Sequence, residues 1–114
     1  MTQQAGNEIG GDVEQDVSVT DAPERSRYEI TVDGKLAGFA DYRTRADRVV
    51  ITHSEIDDAY QGRGLAGRLT RTALDDIRAK DLLVTPLCPY TASYIRKHPE
   101  YVDLVDDNHR AAVS

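Results

Sequence analysis

Cysteine is nearly absent: Cys88 is the one thiol in 114 residues. A single thiol closes no internal disulfide and makes a poor zinc site, so a reducing, cytoplasmic setting is expected. No apolar run comes near the roughly 18 residues a membrane span needs, so no membrane partner is expected. Residues 1–7 lack a basic group followed by an apolar stretch, so no secretory leader is expected. Glycine and proline are sparse, 8 and 4 residues, which excludes collagen-like and low-complexity chains. Lysine and arginine are missing from the first 24 residues. That stretch instead carries Glu8, Asp12, Glu14, Asp16, Asp21 and Glu24, which account for the whole net charge of −6. A neutral body with an acidic arm lacks the basic surface that displaces counterions, so no nucleic-acid partner is expected.

What is present divides the chain in two. Residues 1–24 hold three glycines, three glutamines and no aromatic residue. They offer little apolar surface against a backbone ordering cost of about 1–2 kcal/mol per residue. They read as a disordered acidic tail, with a partner-binding arm as the alternative. Residues 25–114 read as one small domain with one core.

Within that domain Tyr28, Ile30 and Val32 alternate with polar residues, which predicts a half-buried strand over 27–32. Asp33-Gly34 predicts a two-residue hairpin turn, and Leu36 to Tyr42 the return strand. Arg48 to Ile56 predicts a third strand, whose Val49-Val50-Ile51 run suggests burial on both faces. Leu65, Leu69, Ala73 and Ile77 form an apolar stripe at helical spacing, so a helix is predicted from Gly64 to about Lys80. Leu82 to Leu87 predicts a short strand, limited by Pro86. Pro89 opens a second helix that runs to about Lys97, before Pro99. Tyr101 to Val105 has no assignable pattern. The predicted order is β-β-β-α-β-α: an antiparallel meander, then a βαβ unit, in a mixed α/β (α+β) domain. The exposed edge of the meander leaves a monomer or a weak homodimer as the expected state.

The third strand and the long helix are joined through Gln61-Gly62-Arg63-Gly64-Leu65-Ala66. Two glycines let backbone approach a ligand closely. The first helical amides have no acceptor inside the helix, and the positive end of the helix dipole lies behind them. Such a turn suits phosphate. It also suits a tight helix entry with no ligand. There is no GK[ST] sequence, so this is not a P-loop. The acid expected about 20 residues on in a dinucleotide fold would fall near Asp81, before a strand rather than after one.

The block resembles the acyl-CoA pyrophosphate motif of the GNAT acetyltransferase superfamily: Gln or Arg, two residues, Gly, one residue, then Gly or Ala. Gln61, Gly64 and Ala66 stand at those positions. A narrower resemblance, to the small single-domain YjdJ-type GNAT-like family, spans about residues 27–105. It rests on His53-Ser54-Glu55-Ile56, the Gln61–Ala66 block, Pro86-Leu87-Cys88-Pro89-Tyr90, Tyr94-Ile95 and His98-Pro99-Glu100-Tyr101. The resemblance implies a minimal GNAT-like fold in which the third and fourth predicted strands splay into a V. It implies acetyl-CoA as donor, with pantetheine against backbone near Glu55 and Ile56. The amides of Gly62, Arg63, Gly64, Leu65 and Ala66 would then hold the pyrophosphate. The helices that form the acceptor pocket in larger relatives are missing here, so the acceptor amine stays unidentified, a small molecule or a protein.

The same resemblance frames the catalytic candidates. Glu55 ends the third strand, where the thioester would arrive, and is the expected base; the plain alternative is a solvated carboxylate. His53 shares a strand face with Glu55 and could relay a proton. Cys88 precedes a helix start, which favours its thiolate, and lies near the acetyl end by resemblance. Its alternatives are a small buried hydrophobe and a covalent nucleophile. Tyr94 stands where larger relatives place the acid for the departing thiolate, with Tyr90 as the alternative. No ligand cluster suggests a metal. The expected function is acetyl-CoA-dependent N-acetyl transfer to an amine by direct attack. The alternatives are a module that binds acetyl-CoA or CoA without transfer, and a phosphate or nucleotide binder.

Overall fold

Asp33 and Gly34 both adopt positive φ, 51° and 83°, and make the hairpin turn their sequence predicts. They join β2 (Arg27–Val32) to β3 (Lys35–Thr44) in the computed structural model, which describes residues 16–114. β4 (Arg48–Ile56) follows antiparallel to β3. Helix α1 (Leu65–Ala79) then crosses over to β5 (Leu83–Pro86), which lies parallel to β4. Helix α2 (Pro89–Lys97) starts at its proline. The boundaries match the sequence pattern to within one or two residues, and Gly64 stands just outside α1 as its N-cap. The order β-then-helix, the antiparallel meander and the βαβ unit give the minimal GNAT-like α+β arrangement.

One strand was not expected. β1 (Val17–Ala22) lies in the stretch assigned to the tail, and it pairs antiparallel with β2 from Val17↔Val32 to Ala22↔Arg27. The sheet therefore has five strands in the order β1-β2-β3-β4-β5. The folded part begins earlier than residue 25. The physical reason is long-range. The Asp21 carboxylate accepts from the Tyr42 hydroxyl and from Lys80 Nζ at 3.0 Å, while Ala22 is buried. An acidic residue that reads as solvated in one dimension is held by partners 21 and 59 positions away. Residues 1–15, the rest of the expected tail, lie outside the described residues.

The core lies between the sheet and the two helices. Leu65, Leu69, Ala73 and Ile77 of α1 are all buried, as their spacing predicts. They meet Ile30 of β2, Ile51 of β4, Val84 of β5 and Ile95 of α2. Burying each such Leu or Ile removes apolar surface worth about 1.5–3 kcal/mol. Tyr101 to Val105, unassigned from sequence, belongs to a 3-10 turn (Pro99–Leu104) and a parallel bridge from Val105 to Val84. A second 3-10 turn (Asp107–Ala112) brings Val113 back into the core, where it is 1% exposed. No helix among the described residues is long and apolar enough to cross a membrane.

Two register features prepare the site. Asp41 pairs with His53 but Tyr42 pairs with Ile51, so Thr52 is an extra residue in β4. A bulge of this kind swaps which side chains face which side. Before it, Val49 and Ile51 face the helices; after it, Ser54 and Ile56 do. His53 and Glu55 consequently point to the opposite, open face. Pairing between β4 and β5 ends at Ile51↔Pro86, with one more bond from Cys88 N–H to the Ile51 carbonyl at 2.9 Å. β4 continues to Ile56 without β5 beside it, and the two chains open into the expected V.

Candidate functional site

The mouth of the V faces the start of α1. Gly62 and Gly64 adopt φ of 80° and 75°, and nothing lies within 4 Å of where a β-carbon would project from either. No side chain caps α1, and its first amides have no acceptor within the helix. Gln61 Nε2 donates to the Ile56 carbonyl at 2.8 Å and so ties this turn to the end of β4. The Arg63 guanidinium lies 5.3 Å from the centre of the Tyr60 ring. The residues present thus fit a diphosphate: open backbone, free helical amides and a nearby cation.

A cleft of about 240 Å³ follows from that turn into the V. Ser54, Glu55, Ile56, Gln61, Leu69 and Tyr90 are among the residues that line it. Cys88 is 3% exposed at the head of α2, and its Sγ lies in hydrogen-bonding contact with Ser54 Oγ at 3.4 Å, where the hydroxyl can donate to the thiolate. Burial alone would push this thiol up. The Ser54 hydroxyl, with the Thr91 and Tyr90 groups at the start of α2, outweighs burial and holds it below the ordinary thiol value.

On the open face His53 Nε2 lies 2.7 Å from Glu55 Oε2. Both side chains are more than half exposed, at 55% and 60%. The Glu55 contact, helped by the nearby Asp41 charge, raises the His53 pKa above its ordinary value against a small burial penalty. The Phe39 ring lies 6.3 Å from the imidazole and carries the Arg27 guanidinium 4.6 Å above it. Phe39, Leu36 and Asp57 line a small hollow of about 110 Å³ beside Glu55. Glu55 is common to this hollow and to the cleft in the V. Its carboxylate stands on the open face with His53, while its neighbours Ser54 and Ile56 face the cleft.

The expected site residues therefore fall into three groups. Gln61 and the Gly62–Ala66 turn sit with Ile56 at the mouth of the V. Cys88 lies deeper, against Ser54. His53 and Glu55 form a pair on the other side of β4. Tyr94 does not line the cleft: its ring is stacked on His98 at 3.9 Å and neighbours Tyr101 at 6.2 Å. Tyr90 does line it; its hydroxyl and the Tyr94 ring, one turn further along α2, lie 3.6 and 3.8 Å from the position of a β-carbon at Gly67. Burial raises the Tyr90 pKa, so it stays protonated at neutral pH. Ser54 is the residue sequence reasoning missed. Its only signal is its place between His53 and Glu55; the bulge that turns it inward leaves no mark in residue type. No group of three or more His, Cys, Asp or Glu that could hold a metal occurs among the described residues.

Comparison with known proteins decides the family. The sequence profile of the family described as GCN5-related N-acetyl-transferase matches residues 27–104. The chain belongs to that family. The match runs from the first residue of β2 to the end of the Pro99–Leu104 turn, so this GCN5-related domain adds β1 and the Asp107–Ala112 turn outside it. The protein named NATD1 from Homo sapiens is 34% identical over 95 residues, covering 78% of this chain and 82% of the relative. NATD1 from Gallus gallus is likewise 34% identical over 95 residues, with 78% and 84% covered. NATD1 from Bos taurus is 31% identical over 105 residues, with 87% and 91% covered. The glycine turn, the V and the His53–Glu55 pair all fall inside the GCN5-related match.

Proposed function

We propose that this domain transfers acetyl from acetyl-CoA to an amine by direct attack. The observation that carries the reading is that Glu55 lines both the cleft in the V and the hollow on the open face. A donor thioester in the V and an acceptor amine on the open face would meet at the end of β4, where Glu55 borders both hollows. The amides of Leu65 and Ala66, with Gly62, Arg63 and Gly64, would hold the pyrophosphate. The backbone of Glu55 and Ile56, which β5 leaves free, would take the pantetheine. Glu55 accepts the amine proton, directly or through water, and His53 holds the carboxylate in place. The amine nitrogen bonds to the acetyl carbon as the carbon–sulfur bond breaks. The departing thiolate takes a proton from Tyr90, which suits this role better than Tyr94 because it lines the cleft. Cys88 sits beside the acetyl end as a neighbour and not as the nucleophile. A single buried thiol also supports a reducing, cytoplasmic setting.

A second reading is a module that binds acetyl-CoA or CoA without transfer. The small size of the hollow beside Glu55 favours it. Acetyl-CoA consumption with a panel of amines, run with melting curves in acetyl-CoA, CoA and ATP, separates the two. Transfer predicts stabilisation by acetyl-CoA and CoA but not ATP, by several degrees at saturating ligand. It also predicts a loss of about 10²–10⁴-fold in kcat/KM for Glu55→Gln with that stabilisation retained. Stabilisation without turnover for any amine leaves the module; stabilisation by ATP as strong as by CoA removes both.

A further inference from the structure

We propose that the open face of the sheet also recognises an acidic group on the acceptor, through Arg43 and Arg45. The proposal rests on the transferase reading and names the class of amine it takes. A broad hollow of about 550 Å³ opens on this face at the far end of β3 from Glu55. Arg25, Arg43 and Arg45 line it together with Asp41, Thr44 and Thr52. Arg25 is neutralised by Glu24 and Glu29, so Arg43 and Arg45 against Asp41 leave the hollow net positive in a chain whose net charge is −6.

The three arginines are not equally occupied. Arg25 is paired with Glu29 through two contacts of 2.8 Å and with Glu24 at 3.2 Å. Arg45 donates from its side chain to the Thr44 carbonyl at 3.0 Å. Arg43 is exposed and makes no hydrogen bond or ion pair among the described residues. Two of the three charges are therefore available to an incoming anion. A guanidinium binds carboxylate and phosphate in the same forked geometry, so either acid fits.

Alternation along β3 puts Phe39, Asp41 and Arg43 on the same side. Phe39 is the partner of Glu55, and Asp41 the partner of His53. The face carries Glu55, Asp57 and Asp41 toward one end, where Arg27 lies over Phe39 but is paired with Glu29, and the unpaired Arg43 with Arg45 toward the other. At about 3.3 Å per residue, Arg43 lies about 7 Å along the strand from the His53 level and about 13 Å from the Glu55 level. A ligand with an amine at the acidic end and an acid at the basic end matches this line. A polyamine does not, because its second cation would meet the arginines.

The test uses four acceptors of similar length that differ in the far group: 6-aminohexanoate, 6-aminohexylphosphonate, 6-aminohexanamide and 1,6-diaminohexane. The full chain is assayed for acetyl-CoA consumption with each, and for amide chemical-shift changes at Arg43 and Thr44 in the presence of CoA. The expected result is kcat/KM about tenfold or more higher for the two acids than for the amide, with the diamine lowest. Arg43→Glu and, separately, Arg45→Glu should erase or invert that order. The better of the two acids identifies carboxylate or phosphate as the preferred group. Equal rates for all four, or a diamine preference in the unaltered chain, overturns the proposal and leaves the transferase reading standing. Shifts with the acids that Arg43→Glu abolishes, without turnover of any amine, support the anion site and remove the transferase reading. Neither turnover nor shifts removes both.

Discussion

His53 Nε2 and Glu55 Oε2 are 2.7 Å apart, two residues along the same strand and on the face that the helices leave open. The contact couples the protonation of one to the charge of the other. The folded His53 pKa is raised, so the pairing stabilises the fold below the ordinary histidine value and is lost as pH rises through the raised one. An NMR titration of the His53 imidazole should show a midpoint above the ordinary value. In Glu55→Gln that midpoint should fall back toward it. A midpoint that ignores the substitution would break the coupling between the pair.

Cys88→Ala should keep kcat/KM within about tenfold of the unaltered chain, because direct attack does not route acetyl through sulfur. Ser54→Ala should raise the Cys88 pKa, since the hydroxyl outweighs part of the burial cost. Thiolate absorbance against pH reads the second effect. Complete loss of turnover in Cys88→Ala, with acetyl-CoA still bound, would instead make Cys88 the nucleophile.

Strand β1 tests where the domain begins. Asp21→Ala removes the acceptor for both the Tyr42 hydroxyl and Lys80. The Tyr42 hydroxyl is part-buried, so the loss should cost about 1–3 kcal/mol in urea unfolding. Deleting residues 1–15 should leave the unfolding midpoint far less changed than deleting residues 1–22. Equal effects from the two deletions would place the domain boundary after β1.

The C-terminal turn should contribute to acid sensitivity. Asp106 is 7% exposed, accepts from Thr85 Oγ at 2.5 Å and lies 2.8 Å from His109 Nδ1. Burial would raise its pKa, but these two partners and the Arg48 charge outweigh burial and lower it. A lowered carboxylate stabilises the fold above the ordinary aspartate value, and that contribution disappears as pH falls through the lowered one. Unfolding midpoints should therefore drop at acid pH in the unaltered chain. Asp106→Asn should lower stability at neutral pH and flatten the acid slope. An unchanged slope in that variant would assign the acid sensitivity to another carboxylate.

Much of this was legible in one dimension because its causes are local. The β2–β3 turn follows from two residues that tolerate positive φ, the α1 face from a four-residue spacing, and the α2 start from a proline. The Gln61–Ala66 block predicted its strand–turn–helix setting from the same short-range physics. What the linear pattern left open depends on contacts between distant residues. β1 is held by Tyr42 and Lys80, and its acidic composition hides that. The Thr52 bulge decides that Ser54 faces Cys88 while His53 and Glu55 face away, and no residue type announces it. Tyr90 and Tyr94 share one face of α2 against Gly67, yet Tyr90 lines the cleft while the Tyr94 ring stacks on His98. Local preferences act over one turn or one strand, so they name the elements and the candidate chemistry. Register and side-chain direction come from the whole chain packing at once, and they set which candidates become neighbours.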